Sequence, residues 1–213
     1  MADLTFYTNP MSRGQIVRWM LEEVGEPYET EVLDYGSTMK SEPYLSINPM
    51  GKVPAIVHDG RVVTECAAIC AYLADAFPEA GLAPLADERA DYFRWLFFAA
   101  GPLEQAVTNR HCGFQPSEEQ RRMVGYDTYD TVIAVLDRHF GDGRKFTCGD
   151  RFTAADVYLG SQIDWGLQFG TISERDSFTA YAERLRQRDG YRQAKAIDNR
   201  LIAEMKAKQE QPA

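Results

Sequence analysis

Residues 3–8 (DLTFYT) carry the β-branched and aromatic character of a strand. From 12 to 24 (SRGQIVRWMLEEV), Ile16, Val17, Met20, Leu21 and Val24 recur at helical spacing, and Gly25 and Pro27 close the run. Residues 28–33 (YETEVL) alternate and predict a second strand, and 40–46 predict a short, irregular helix. The runs 54–58 (PAIVH) and 61–64 (RVVT) flank Asp59-Gly60, the dipeptide of a tight hairpin. Residues 65–77 (ECAAICAYLADAF) predict a helix whose small residues suit close packing on a sheet. The stretch 78–86 (PEAGLAPLA) has no period. Beyond it the pattern is helical throughout, with runs at about 87–112, 118–140, 154–169, 178–189 and 192–208. The polar tail KAKQEQPA predicts a frayed end.

The first part therefore reads β-α-β-α-β-β-α. The right-handed crossover rule leaves few folds for that order, and a thioredoxin-like domain is the expected one. The fold class is α+β: a thioredoxin-like domain over residues 1–78, a linker at 79–86, and an all-helical domain over 87–213.

Composition narrows the function. The net charge is −9 and no Lys/Arg block stands out, which argues against nucleic acid and anionic membrane surfaces as partners. No apolar run approaches the roughly 18–20 residues that cross a bilayer. MADLTFYT has no basic region followed by an apolar core, so no signal peptide is expected and the default compartment is the cytoplasm. Cys66 and Cys70 share a helical face but have no histidine near them in sequence; Cys112 and Cys148 stand apart. They read as small packing side chains of a reducing compartment, and no metal is assigned. His58, His111 and His139 are scattered and suggest no Cys/His pair.

The chemistry starts at FYTNPMSRGQ, residues 6–15. Thioredoxin-like redox proteins place a C-P-x-C or C-P-x-S turn at this helix start, where backbone N–H groups and the helix dipole favour a thiolate. Here the turn is Asn9-Pro10-Met11-Ser12: the proline is kept and the cysteine is missing. A site shaped for a thiolate without a thiol of its own implies a thiol brought by a bound molecule. Ser12-Arg13-Gly14-Gln15 also fits a capping box, S-x-x-Q, in which the hydroxyl accepts from a backbone N–H. The two roles are compatible, because a hydroxyl accepts one bond and donates another. Tyr7 is the rival donor, with strand packing as its alternative. Thr8 reads as a strand residue, and Phe6 and Met11 read as packing or pocket wall.

A second constellation lies at 48–55, NPMGKVPA. Pro54 cannot donate to a ladder, so it belongs at a strand's edge, a first residue or a bulge, and the Val53 backbone is left to pair with an extended peptide. Thr64-Glu65-Cys66 follows at a helix start, where N–H groups can hold a carboxylate and Glu65 an ammonium. The alternative for Glu65 is an ordinary first-turn acid.

Together these residues resemble the cytosolic glutathione transferase family, bacterial, with serine-type (phi, theta, zeta) features. The resemblance covers most of the chain and includes GDRFTAADVYLG at 149–160, where Thr153 and Asp156 form a structural N-capping pair and Phe152 staples onto Val157. It implies a cis Val53–Pro54 bond, with the Val53 backbone on the cysteinyl part of glutathione. It puts Glu65 and Cys66 at the γ-glutamyl end, and Lys40 and Lys52 near the glycyl carboxylate, with Arg13 a neighbour. Cys66 stands where the family usually has Ser or Thr. Ser12 is the favoured thiolate donor because it alone sits at the helix N-terminus; the run RGQIVRWMLEEVG also resembles tyrosine-type members, which keeps Tyr7 as the alternative. The implied protein is a glutathione transferase with glutathione as co-substrate and an electrophilic small molecule as partner, assembled as a homodimer. Met11, Phe97, Phe98, Leu103 and Val107 are expected to wall the electrophile's pocket or to fill a core. A glutathione transferase-like binding module with little catalysis, or a glutathione-dependent peroxidase, isomerase or dehalogenase, are the competing readings.

Overall fold

The structure, a computed structural model, describes residues 3–209; the last four residues of the polar tail lie outside them. By packing the chain divides into two compact units: residues up to Gly81 together with Gln187 onward, and Leu82–Arg186.

The first unit is built on a four-stranded sheet in the order β2-β1-β3-β4. Strands β1 (Leu4–Thr8) and β2 (Glu29–Val32) run parallel, joined by helix α1 (Gly14–Val24). Strand β3 (Ala55–His58) runs antiparallel to β1 and forms the expected hairpin with β4 (Arg61–Thr64). Between them lie a 3₁₀ turn at Thr38–Lys40 and the short α2 (Tyr44–Ile47); α3 (Cys66–Ala76) closes the motif. This is the thioredoxin-like order read from the sequence. Phe6, Ile16, Met20, Ile56, Ile69 and Leu73 are buried at its core. β2 is exposed along its length, and its glutamates put charge on an open sheet edge, which discourages edge-to-edge pairing.

The final helix, α9 (Asp189–Gln209), follows the helical half in sequence but packs with α1. Tyr191 meets Trp19 edge-on at 5.1 Å, Arg188 pairs with Glu23, and Lys195 donates to Gln15. Beneath them the buried Arg18 Nε reaches Asp198 at 3.4 Å, while Nη1 donates to Tyr28 and Thr30. Burial outweighs the arginine's attraction and pushes the Asp198 carboxyl up to about 6. The folded state thus binds this proton more tightly than the unfolded chain, whose aspartates titrate near ~3.9. The carboxyl therefore adds stability as the pH falls through 6, the reverse of a typical ion-paired aspartate. Wild type is expected to gain about 1 kcal/mol on an Asp198→Asn variant between pH 7 and pH 5, read by urea denaturation. A difference that is flat or shrinks towards pH 5 would refute the assignment.

The second unit holds α4 (Arg89–Phe98), α5 (Glu104–His111), α6 (Tyr129–Phe140), α7 (Ala154–Phe169) and α8 (Asp176–Arg186). The continuous helix expected at 87–112 is broken by a π-helical turn, Ala99–Leu103. Pro102 lies inside that turn and has no N–H for the regular ladder, so the bonding shifts locally. The run at 118–140 shortens to α6, because Asp127 takes a left-handed φ of 60° and Thr128 caps the helix by accepting from the Thr131 N–H. Helix α7 is buried over most of its length and begins where the sequence puts its cap. Among the described residues no helix is long and apolar enough to cross a membrane.

Candidate active site

Register brings the singled-out residues of the first unit together. Ser12 follows the C-terminal end of β1. β3 is antiparallel to β1, with Ala55 opposite Tyr7, so Val53-Pro54 precede β3 at that same end. Thr64, the last residue of β4, pairs with Ala55, so Glu65 and the start of α3 lie there as well. The Cys66 thiol donates to the Arg13 carbonyl at 3.5 Å, a contact that joins the starts of α1 and α3. One end of the sheet thus carries a helix start from α1, a helix start from α3 and the turn leading into β3.

The turn after β1 is held by Asn9, which stands in the place of the redox cysteine. Its side chain is buried, donates to the Leu33 carbonyl at 2.8 Å and accepts from the Met11 N–H. Sequence reading gave Asn9 no role beyond the absence of a thiol; the Asn-Pro turn dipeptide was the available signal. Helix α1 begins at Gly14, not Ser12, and Arg13 is its N-cap residue. The expected capping box is therefore not formed. Ser12 Oγ accepts from the Gly14 N–H at 2.9 Å, and Gln15 turns away to the Pro10 carbonyl. The hydroxyl proton of Ser12 goes to the Asn9 carbonyl at 2.6 Å, which also receives the Ser12 backbone N–H. Gly14 makes this geometry possible, since a Cβ there would sit 2.0 Å from Thr8 Oγ1.

Tyr7 is half-buried and packs on the cluster of Met39, Tyr44 and Ala55, with its ring 5.5 Å from that of Tyr44. Burial, and then the charge of Glu31 paired beside it, push its phenol up. Tyr44 and Asn48 order the loop below: both donate to the Lys52 carbonyl, and Asn48 Oδ1 accepts from the Met50 N–H. Asn48 opens the NPMGKVPA run read from sequence; Tyr44 was not singled out there. Gly51 takes a φ of 55°, and a Cβ on it would lie 2.9 Å from the Met39 carbonyl. Lys40 Nζ donates to the Met50 and Gly51 carbonyls, which ties it to this loop. The Lys52 side chain is exposed, with no hydrogen bond or ion pair among the described residues. The Val53–Pro54 bond is cis, as is Glu42–Pro43.

Glu65 is exposed and holds a φ of 65°, a region that costs a non-glycine residue on the order of 1–3 kcal/mol. Cys66 is buried, and its thiol is turned towards α1. In the second unit Leu103 is buried, Phe98 and Val107 are half-buried, and Phe97 is largely exposed; Met11, in the first unit, is half exposed.

The sequence profile of the glutathione S-transferase N-terminal domain matches residues 11–76. The glutathione S-transferase GST-4.5 of Xanthomonas campestris pathovar campestris is 32% identical over 194 residues, 82% of this chain and 90% of that protein. Among solved structures, a glutathione transferase of Methylococcus capsulatus superposes with a TM-score of 0.76 at 27% identity, covering 92% of this chain and 98% of that one. A sphingomonad glutathione S-transferase complexed with glutathione gives 0.73 at 28% identity, with the same coverage. The thioredoxin-like order and the relatedness over most of both chains agree: this chain belongs to the glutathione S-transferase family of enzymes.

Proposed function

We propose that the chain binds glutathione at the shared end of the sheet, holds its sulfur as thiolate, and directs that thiolate at an electrophilic small molecule. The observation that carries this reading is the convergence of Ser12, Val53-Pro54 and Glu65 on one sheet end, fixed by the registers of β1, β3 and β4. Glutathione supplies the thiol. Ser12 supplies a hydroxyl whose proton can leave the Asn9 carbonyl for a sulfur without stranding that carbonyl, which keeps the Ser12 N–H. The Gly14 N–H continues to donate into the same oxygen and polarises it. A donated bond to sulfur favours the ionised form, and a free thiol near ~8.5 needs to fall by only about one or two units to be largely thiolate at neutral pH.

The Val53 backbone is suited to pair with the cysteinyl part of the tripeptide, as a strand addition. Glu65 takes the γ-glutamyl ammonium, and its left-handed backbone is a local strain of the kind that gathers at ligand sites. The Cys66 thiol is committed to Arg13, so the α-carboxylate is left to backbone N–H groups at the start of α3. Lys52 is better disposed than Lys40 towards the glycyl carboxylate, because two of the three Lys40 donors are already used on carbonyls. Phe93 and Phe97, one turn apart on α4 and both exposed, support a homodimer, as does exposed Met50.

Immobilised glutathione should retain the protein, the protein should conjugate an aryl halide or reduce a hydroperoxide, and it should sediment at twice 24.1 kDa. Failure both to bind and to react would favour a binding module that keeps the fold without the chemistry.

A further inference from the structure

The helical unit contains two adjoining cavities, of about 490 and 300 Å³, which share Arg110 and Tyr129 as a dividing wall. Both fall within or near the size range of small-molecule sites. The larger is bordered by Asp127 and Asp130 as well as by arginines, so its charge is mixed. The smaller is lined by Val107, Arg110, His111, Tyr129, Thr171 and Ser173 and has no acidic residue in its wall. That absence stands out in a chain of net charge −9.

The cation is held in place yet has donors to spare. The Arg110 guanidinium lies 4.0 Å over the Tyr129 ring. Its carboxylate neighbour among the described residues, Asp130, is 3.9 Å away and almost fully exposed, a geometry worth little in water. No hydrogen bond from the Arg110 side chain forms among the described residues. Tyr129 is fixed in turn, its hydroxyl donating to the Thr171 carbonyl and accepting from the Ser173 N–H. A planar, pre-positioned fork with free N–H groups is the arrangement that recognises a carboxylate in bidentate fashion. Val107 and the Tyr129 ring give the same cavity an apolar wall for the body of such a ligand.

We infer that the smaller cavity of the helical unit is a binding site for a small organic carboxylate, with Arg110 as its anchor and His111 beside it. Two sources share this chemistry: a carboxylate carried by the electrophile itself, and a separate organic acid. The site does not depend on glutathione, so its test stands apart from that of the proposed function.

Benzoate, with benzyl alcohol as the neutral control, should be titrated against the whole protein by ligand-observed NMR, with and without saturating glutathione. Benzoate should bind the more tightly. Arg110→Met should weaken benzoate by at least about tenfold, as expected for a lost charge-assisted fork, and Arg110→Lys by less. Unchanged circular dichroism would show that the variants are folded, which the exposed position of Arg110 favours. Competitive inhibition of conjugation by benzoate would assign the carboxylate to the electrophile, and non-competitive inhibition to a separate acid; both keep the site. Equal binding of benzoate and benzyl alcohol, or benzoate affinity unchanged in Arg110→Met, would overturn the inference.

Discussion

Ser12→Ala is expected to raise the pKa of enzyme-bound glutathione by about one to two units while leaving its affinity within about tenfold, since each unit is worth about 1.4 kcal/mol of differential interaction with the thiolate. Conjugation at neutral pH should fall with the thiolate population. Tyr7→Phe should do little. Tyr7 sits against Met39, Tyr44 and Ala55, and burial together with Glu31 makes its phenol reluctant to ionise. Ser12 lies in the turn just before α1, with a proton now held by a carbonyl that keeps a second partner. The ultraviolet absorbance of the bound thiolate, followed against pH in the three proteins, decides the matter. A raised pKa in Tyr7→Phe with an unchanged one in Ser12→Ala would transfer the role to Tyr7.

The second large effect concerns stability. Asp156 is completely buried at the start of α7. Oδ1 accepts from the Thr147 N–H and the Tyr181 hydroxyl, and Oδ2 from the Thr153 N–H. Asp156→Ala would strand the buried Thr147 and Thr153 N–H groups, at about 1–3 kcal/mol each before relaxation, and would leave the Tyr181 hydroxyl only Thr147 Oγ1 at 3.0 Å, so a loss of at least about 2 kcal/mol is expected. Urea denaturation should show it, with the larger part of the signal from the helical unit. A midpoint close to wild type would mean that water or a neighbouring acceptor satisfies those groups, and the motif GDRFTAADVYLG would then need another explanation.

Local chemistry made much of this protein legible in advance. The Asp-Gly turn flanked by β-branched residues gives the β3–β4 hairpin, because both features act within a few residues. The Thr153–Asp156 spacing gives the start of α7 for the same reason. The start of α1 was misread by two residues. S-x-x-Q is a real capping pattern, but Asn9 bonds both to its own turn and to the end of β2, and so draws the Ser12 hydroxyl back towards itself. Pro102 was visible too, yet the apolar period on either side of it hid the π-turn.

The sequence alone determined the order of elements and the missing thiol, since both rest on spacing along the chain, and it supplied the candidate residues of the proposed glutathione site. Tertiary structure decided what those residues face. It put Tyr7 in a packed cluster, committed the Cys66 thiol to Arg13 and brought α9 against α1. It also left the Arg110 guanidinium over Tyr129 with no hydrogen bond among the described residues. A side chain's remaining hydrogen bonds depend on partners distant in sequence, and only the folded chain brings those partners within reach.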